Sequence, residues 1–219
     1  MTVRTIQLLI IALVLVAFGL TLALYAQLPL QMASHWNIQG QVDDYLPKFW
    51  GAFLLPIVMA AVALLLAVLP NIDPLKANIL QFRQHYFGFI AVLSVFLLAV
   101  HTQLLLWNIG VEISPNTTMP VLLAGLVFYL GIACQHAKRN WFFGIRTPWT
   151  LSSDEVWEKT HQLGGKLFKL SAVIALGAVF FPSYAFVIAI VPLVGVSLFT
   201  LVYSYFVFRK LGSGTPPLR

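Results

Sequence analysis

Two short stretches of this chain concentrate the side chains suited to chemistry or recognition. The first reads His35-Trp36-Asn37-Ile38-Gln39-Gly40-Gln41-Val42-Asp43-Asp44 and leads to Pro47-Lys48. An imidazole donates, accepts or ligates a metal. Trp36 suits the boundary between water and lipid. Asn37 and Gly40 are residue types that tolerate a turn with positive φ. Asp43 and Asp44 are placed to cap a following helix or to pair with Lys48. The second stretch runs from Asn140 to His161 and contains Gly144-Ile145-Arg146-Thr147-Pro148-Trp149-Thr150-Leu151-Ser152-Ser153-Asp154-Glu155-Val156-Trp157. The Arg146 guanidinium fits a lipid phosphate, the Asp154 carboxylate or a protein partner. Ser152 with Glu155 three positions on predicts a capping box and a helix start. On that helix Val156, Thr160, Leu163 and Leu167 share one face, and Glu158, Lys159, Gln162 and Lys166 share the other. The pattern predicts an amphipathic helix at a membrane surface that continues into a span.

Other chemistries lack their residue patterns. The histidines are His35, His85, His101, His136 and His161, and no two have the spacing of an H-E-x-x-H metal site. There is no G-x-S-x-G nucleophile turn. His101 falls inside an apolar run, where a bond to a neighbouring helix is the ordinary role and function the alternative. No metal and no cofactor is predicted. A metal-dependent membrane enzyme and a small-solute transporter stay as alternatives, the second weakened because no Asp, Glu, Lys or Arg sits in the middle of an apolar run.

The elements that carry these stretches follow from composition. Hydrophobic residues make up 60% of the 219 and charged residues 9%. A soluble domain has about a quarter charged residues, so lipid must solvate most of this chain. Runs of about 20 apolar residues cross the hydrocarbon as helices. Such runs lie at Ile6–Leu28, Phe49–Leu69, Tyr86–Trp107, Thr118–Gln135, about Leu163–Phe181, and Tyr184–Phe208. The first follows Arg4, is too long for the apolar core of a signal peptide, and reads as a retained span. Strands of a membrane barrel would show alternation, which these runs lack. The fold class is all-α, a polytopic bundle of about six transmembrane helices. With both termini in the cytoplasm, the outer segments hold only Lys48 of the 13 basic residues, which fixes the expected orientation. That distribution explains the net charge of +6 without nucleic-acid binding. Lys166 and Lys169 lie near the start of the fifth run and can snorkel. Cys134 is the single cysteine and is expected to pack as a small hydrophobe. The expected organisation is a helix pair with the outer loop over 1–70, a central pair over 71–136, an inner loop with a final pair over 137–211, and a mobile tail over 212–219.

The second stretch, from Asn140 through Gly144-Ile145-Arg146-Thr147-Pro148-Trp149-Thr150-Leu151-Ser152 to Val156-Trp157 and Thr160-His161, closely resembles the SdpI family of bacterial membrane proteins. The first, His35-Trp36-Asn37 with Gly40 and Asp43, resembles a domain of unknown function that often precedes it. The family is named for an immunity protein that protects a toxin producer from its own secreted membrane-active peptide. That protein also holds a transcriptional repressor at the membrane. The resemblance implies a multi-pass protein of the bacterial cytoplasmic membrane. It implies a peptide-toxin partner on the outer face, at His35, Trp36, Asn37, Gly40 and Asp43. It implies a repressor partner on the inner face, at Asn140, Arg146, Thr147, Pro148, Trp149, Thr150, Asp154, Trp157 and His161. It implies no direct contact with nucleic acid.

Overall fold

Apolar helices long enough to cross a membrane dominate the computed structural model, which describes residues 1–212. In chain order the elements are α1 (Val3–Leu24), β1 (Gln31–Trp36), β2 (Val42–Pro47), α2 (Lys48–Ile72), α3 (Lys76–Gln81), α4 (Arg83–Asn108), α5 (Pro115–His136), α6 (Pro148–Ser152), α7 (Asp154–Gly177) and α8 (Ala185–Gly212). Among the described residues, six helices have spanning length and composition: α1, α2, α4, α5, α7 and α8, some extended by a 3-10 turn. They coincide with the six apolar runs; five extend past their runs by one to three residues at one or both ends, and α7 begins nine residues before its run, at Asp154. From position 213 on, the expected tail lies outside the described residues.

Local chemistry sets the helix ends. The Thr2 hydroxyl accepts from Thr5 N at 3.2 Å and starts α1. Pro47 precedes α2, and Pro115 occupies the first turn of α5, where its missing N–H costs nothing. Pro56 and Pro192 fall inside α2 and α8. Helix direction alternates along the chain. α1, α4 and α7 therefore finish at the end of the bundle that carries the strands, called here the hairpin end, and α2, α5 and α8 begin there. The opposite, basic end holds every described Lys and Arg side chain region except that of Lys48.

Three expectations are corrected. The segment between α1 and α2, read from the sequence as a loop with a turn, is an antiparallel β-hairpin. Its register shifts between Ala33 and His35 and again between His35 and Trp36. Such bulges break the two-residue alternation that would have marked the strands. The cap of α7 is Ser153, whose hydroxyl accepts from Val156 N at 3.3 Å, not Ser152. Ser152 instead closes the short helix α6, which Thr147 opens through a reciprocal box with Thr150. Asp43 and Asp44 do not cap α2, and Lys48 places its ammonium 4.7 Å from the Tyr25 ring centre rather than on a carboxylate.

Small residues bring helices close. A Cβ on Gly131 of α5 would stand 2.6 Å from the Gly165 carbonyl oxygen of α7. Close backbone approach is the usual means of helix packing in lipid, where apolar side chains gain nothing by leaving lipid for protein. Beside this contact Gln162 donates to the Gln135 carbonyl at 2.9 Å, and Lys169 Nζ reaches Gln135 Oε1 at 2.7 Å. Lys169 thus snorkels toward the basic end. Within the membrane, His101 Nε2 lies 2.8 Å from the Thr21 hydroxyl, which also lies 3.2 Å from the Ala52 carbonyl. One buried hydroxyl so links α1, α2 and α4. Gly165→Ala is expected to destabilise the detergent-solubilised protein by about 1–3 kcal/mol, because a Cβ there overlaps α5. Gly125→Ala, where a Cβ meets nothing within 4 Å, should stay within about 1 kcal/mol of the parent in the same thermal melt.

Candidate functional site

At the hairpin end the turn is closed by backbone and side chain together. Asn37 N donates to Gln41 O at 2.9 Å, and Asn37 Oδ1 accepts from Gln39 N and Gln41 N, both at 3.0 Å. Gly40 has φ +78°, a conformation that an L side chain resists. The hairpin is held by two asparagines that sequence patterning did not single out. Asn108, at the end of α4, accepts from Ala33 N at 2.8 Å and donates to Ala33 O at 3.0 Å, so its amide acts as a short third strand. Asn116, in the first turn of α5, donates to the Ile38 carbonyl at 3.1 Å and to that of Pro182 at 3.3 Å. Met32 is fully buried against Gly51 of α2. An amide at a helix end is common, so nothing in the sequence distinguished these two.

His35, Trp36, Asn37 and Asp43 all line one groove of about 470 Å³ beneath the hairpin. Its other wall comes from α5, including Pro115, Met119 and Leu123, and from α8, including Phe186 and Ile190. His35 Nδ1 and Asp43 Oδ1 lie 2.5 Å apart at the rim, both well exposed. The ring of Trp36 packs edge-on against Trp107, with centres 5.3 Å apart. Its Nε1 is buried without a partner among the described residues. Behind Trp36 a second cavity of about 270 Å³ reaches inward past Ser34 to Gln103. Of the five hairpin residues singled out by sequence, only Gly40 stands off the groove, serving the turn.

The basic end is built differently. Asn140 is fully buried, and its amide makes four bonds: Oδ1 accepts from Phe142 N and Phe143 N, and Nδ2 donates to Lys138 O and Phe143 O. His161 is also buried. Its Nδ1 faces the Trp157 carbonyl at 2.9 Å and its Nε2 accepts from Ile145 N at 2.9 Å. A carbonyl only accepts and an amide only donates, so the ring is the neutral tautomer protonated on Nδ1. Gly144, at φ +111°, passes over this ring so closely that a Cβ there would overlap Nε2. Trp157 stacks on His161 and donates from Nε1 to Ala137 O at 2.8 Å. Thr147 lies 3.0 Å from the Ser204 hydroxyl, and Trp149 packs on Tyr205, so α8 holds the loop from the other side.

Of the alternatives left open for Arg146, the structure removes the pair with Asp154. Asp154 meets Arg139 at 2.7 Å, not Arg146. Arg146 donates to the Trp141 carbonyl at 2.7 Å. The buried Asp73 accepts from Trp141 N at 2.9 Å and from Leu75 N at 2.6 Å, joining the α2–α3 connection to the loop. On α7 the buried face is displaced from the expected stripe, whose Leu163 and Leu167 are only half-buried. It includes Trp157, His161, Gly164 and Gly165 as well as Val156 and Thr160. Asn140, Thr147, Thr150, Trp157 and His161 are therefore interior groups whose polar atoms are bonded within the chain. Arg146, Pro148 and Asp154 are exposed. Asn140→Ala would leave two amides unpaired and should cost at least about 2 kcal/mol in thermal unfolding. Arg146→Ala should cost no more than about 0.5 kcal/mol in the same measurement.

Comparison with known proteins follows the same two regions. The model of the SdpI/YfhL protein family matches residues 136–204, which are the basic-end loop, α7 and most of α8. A domain of unknown function (DUF1648) matches residues 12–60, which cover most of α1, the hairpin and the first half of α2. Immunity protein SdpI of Bacillus subtilis (strain 168) is 25% identical over 204 residues, covering 92% of this chain and 95% of that protein. No solved structure matches. With six apolar spanning helices, both regions matched in order and a relative aligned along nearly its whole length, the chain is a multi-pass bacterial cytoplasmic-membrane protein similar to Immunity protein SdpI.

Proposed function

We propose that the protein is an immunity protein that protects the membrane against a secreted, membrane-active peptide. The observation that carries this reading is the end-to-end similarity to Immunity protein SdpI. The hairpin end faces outward in this proposal, because it holds a single basic residue, and the groove beneath the hairpin is where the peptide is met. His35, Trp36, Asn37 and Asp43 touch it there, and Gly40 shapes the turn that presents them. At the basic end Arg146, Pro148, Asp154 and the edge of Trp149 form the surface offered to a cytoplasmic partner. The buried members of that loop hold the surface in shape.

Two results test the proposal. A thiol probe added from outside should label a cysteine placed at Gln39 and spare one placed at Lys159; the reverse pattern would reject the orientation. Deleting the gene should sensitise cells to the cognate peptide. Trp36→Ala, which removes an aromatic wall of the groove, should reproduce part of that sensitivity at an unchanged protein level in the membrane. Sensitivity that does not change on deletion would sink the immunity reading.

A further inference from the structure

The groove beneath the hairpin has a composition that specifies its occupant. Its floor is apolar. Pro115, Met119 and Leu123 extend along α5 over eight residues, or about 12 Å at 1.5 Å per residue. Phe186 and Ile190 of α8 face them. The rim is polar and carries His35, Asn37 and Asp43. Among the described residues, no Lys or Arg lines the groove. The formal charges of the hairpin end are Asp43, Asp44 and Glu112 against Lys48. Lys48 is turned toward Tyr25.

Helix dipoles do not offset this charge. Each helix start carries about half a positive charge and each helix end about half a negative one. Three spanning helices, α2, α5 and α8, start at this end, and three, α1, α4 and α7, finish here. Their terminal charges cancel to first order, so the carboxylates decide the sign. Asp43 gives one oxygen to His35, and its second oxygen has no partner among the described residues. Asp44 accepts only from the neighbouring Tyr45 N.

An amphipathic helix that lies in the membrane surface has Lys or Arg on its polar face and sinks its apolar face about 5–10 Å into the boundary. The groove offers a counterpart to both. Its apolar wall runs about 12 Å along α5, enough to seat such a face, and its rim carries the Asp43 carboxylate. We infer that the groove binds a cationic amphipathic peptide lying in the membrane plane, with its apolar side chains between α5 and α8 and an ammonium or guanidinium at Asp43. This inference rests on the immunity reading and names the chemical class of the peptide.

The test uses the full chain in nanodiscs of zwitterionic phosphatidylcholine, with empty discs as the baseline. The probes are a synthetic amphipathic helix of Leu and Lys and its Leu and Glu counterpart with the same apolar face. The Lys probe should bind protein-containing discs at least tenfold more tightly than empty discs, and the Glu probe should show no such gain. Asp43→Asn with Asp44→Asn should reduce the gain several-fold and flatten its salt dependence. Ile190→Trp, which fills the groove from α8 and leaves the hairpin intact, should abolish the gain while circular dichroism and the elution volume stay those of the parent. Equal gains for both probes, or a gain that survives Ile190→Trp, would overturn the assignment. Selective binding of the Lys probe together with unchanged cell sensitivity on deletion would keep the groove and remove the immunity reading. No gain over empty discs would remove the groove alone.

Discussion

Inside hydrocarbon, each backbone amide and carbonyl must find its partner within the chain, because an orphaned one costs several kcal/mol. Nearly everything else about this molecule follows from that constraint. Helices satisfy it locally, so the six apolar runs become six helices and irregular backbone is driven to the two ends. There water is available, yet most of the irregular backbone is still paired within the chain. Asn108 and Asn116 bond the hairpin, and Asn140, Asp73 and His161 bond the basic-end loop. Side-chain amides recur because they donate and accept at once, as a strand edge does.

The two ends use this chemistry to different purposes. At the basic end, polar side chains turn inward and are consumed by backbone groups. Packing of Trp157 on His161 and of Trp149 on Tyr205 braces that loop against α7 and α8. At the hairpin end, the bonds that hold the strands come from neighbouring helices. His35 and Asp43 are left at an open rim, and the flank of Trp36 lines the walls. A rigid platform with exposed functional groups is what binding without large rearrangement needs.

The sequence made the spans legible because twenty apolar residues in a row have few other uses. It also set two stretches apart from the rest by residue type. It did not reveal the hairpin, since two bulges scramble the alternation that would have announced it. It placed the cap one residue early because Ser152 and Ser153 are chemically equivalent neighbours. Which of them caps depends on Thr147 and Thr150 having already begun a separate turn. The partner of Asp154 stayed open in the sequence for a related reason. Arg139 and Arg146 are equally basic, and only the fold of the intervening loop decides which reaches the carboxylate. The groove itself was not legible, because its α5 and α8 walls are ordinary apolar residues far from the hairpin in sequence.

The burial of Asn140, Thr147, Thr150, Trp157 and His161 has an evolutionary consequence. A pattern made of interior residues is an instruction for assembling a scaffold, and any ligand-bearing surface can be redrawn without touching it. Proteins that share these letters can therefore diverge in what they recognise while keeping one architecture. Their specificities would be written in the less patterned positions that face the groove, such as Met119, Phe186 and Ile190, where a change of one side chain alters the shape of the cleft and leaves the chain able to fold.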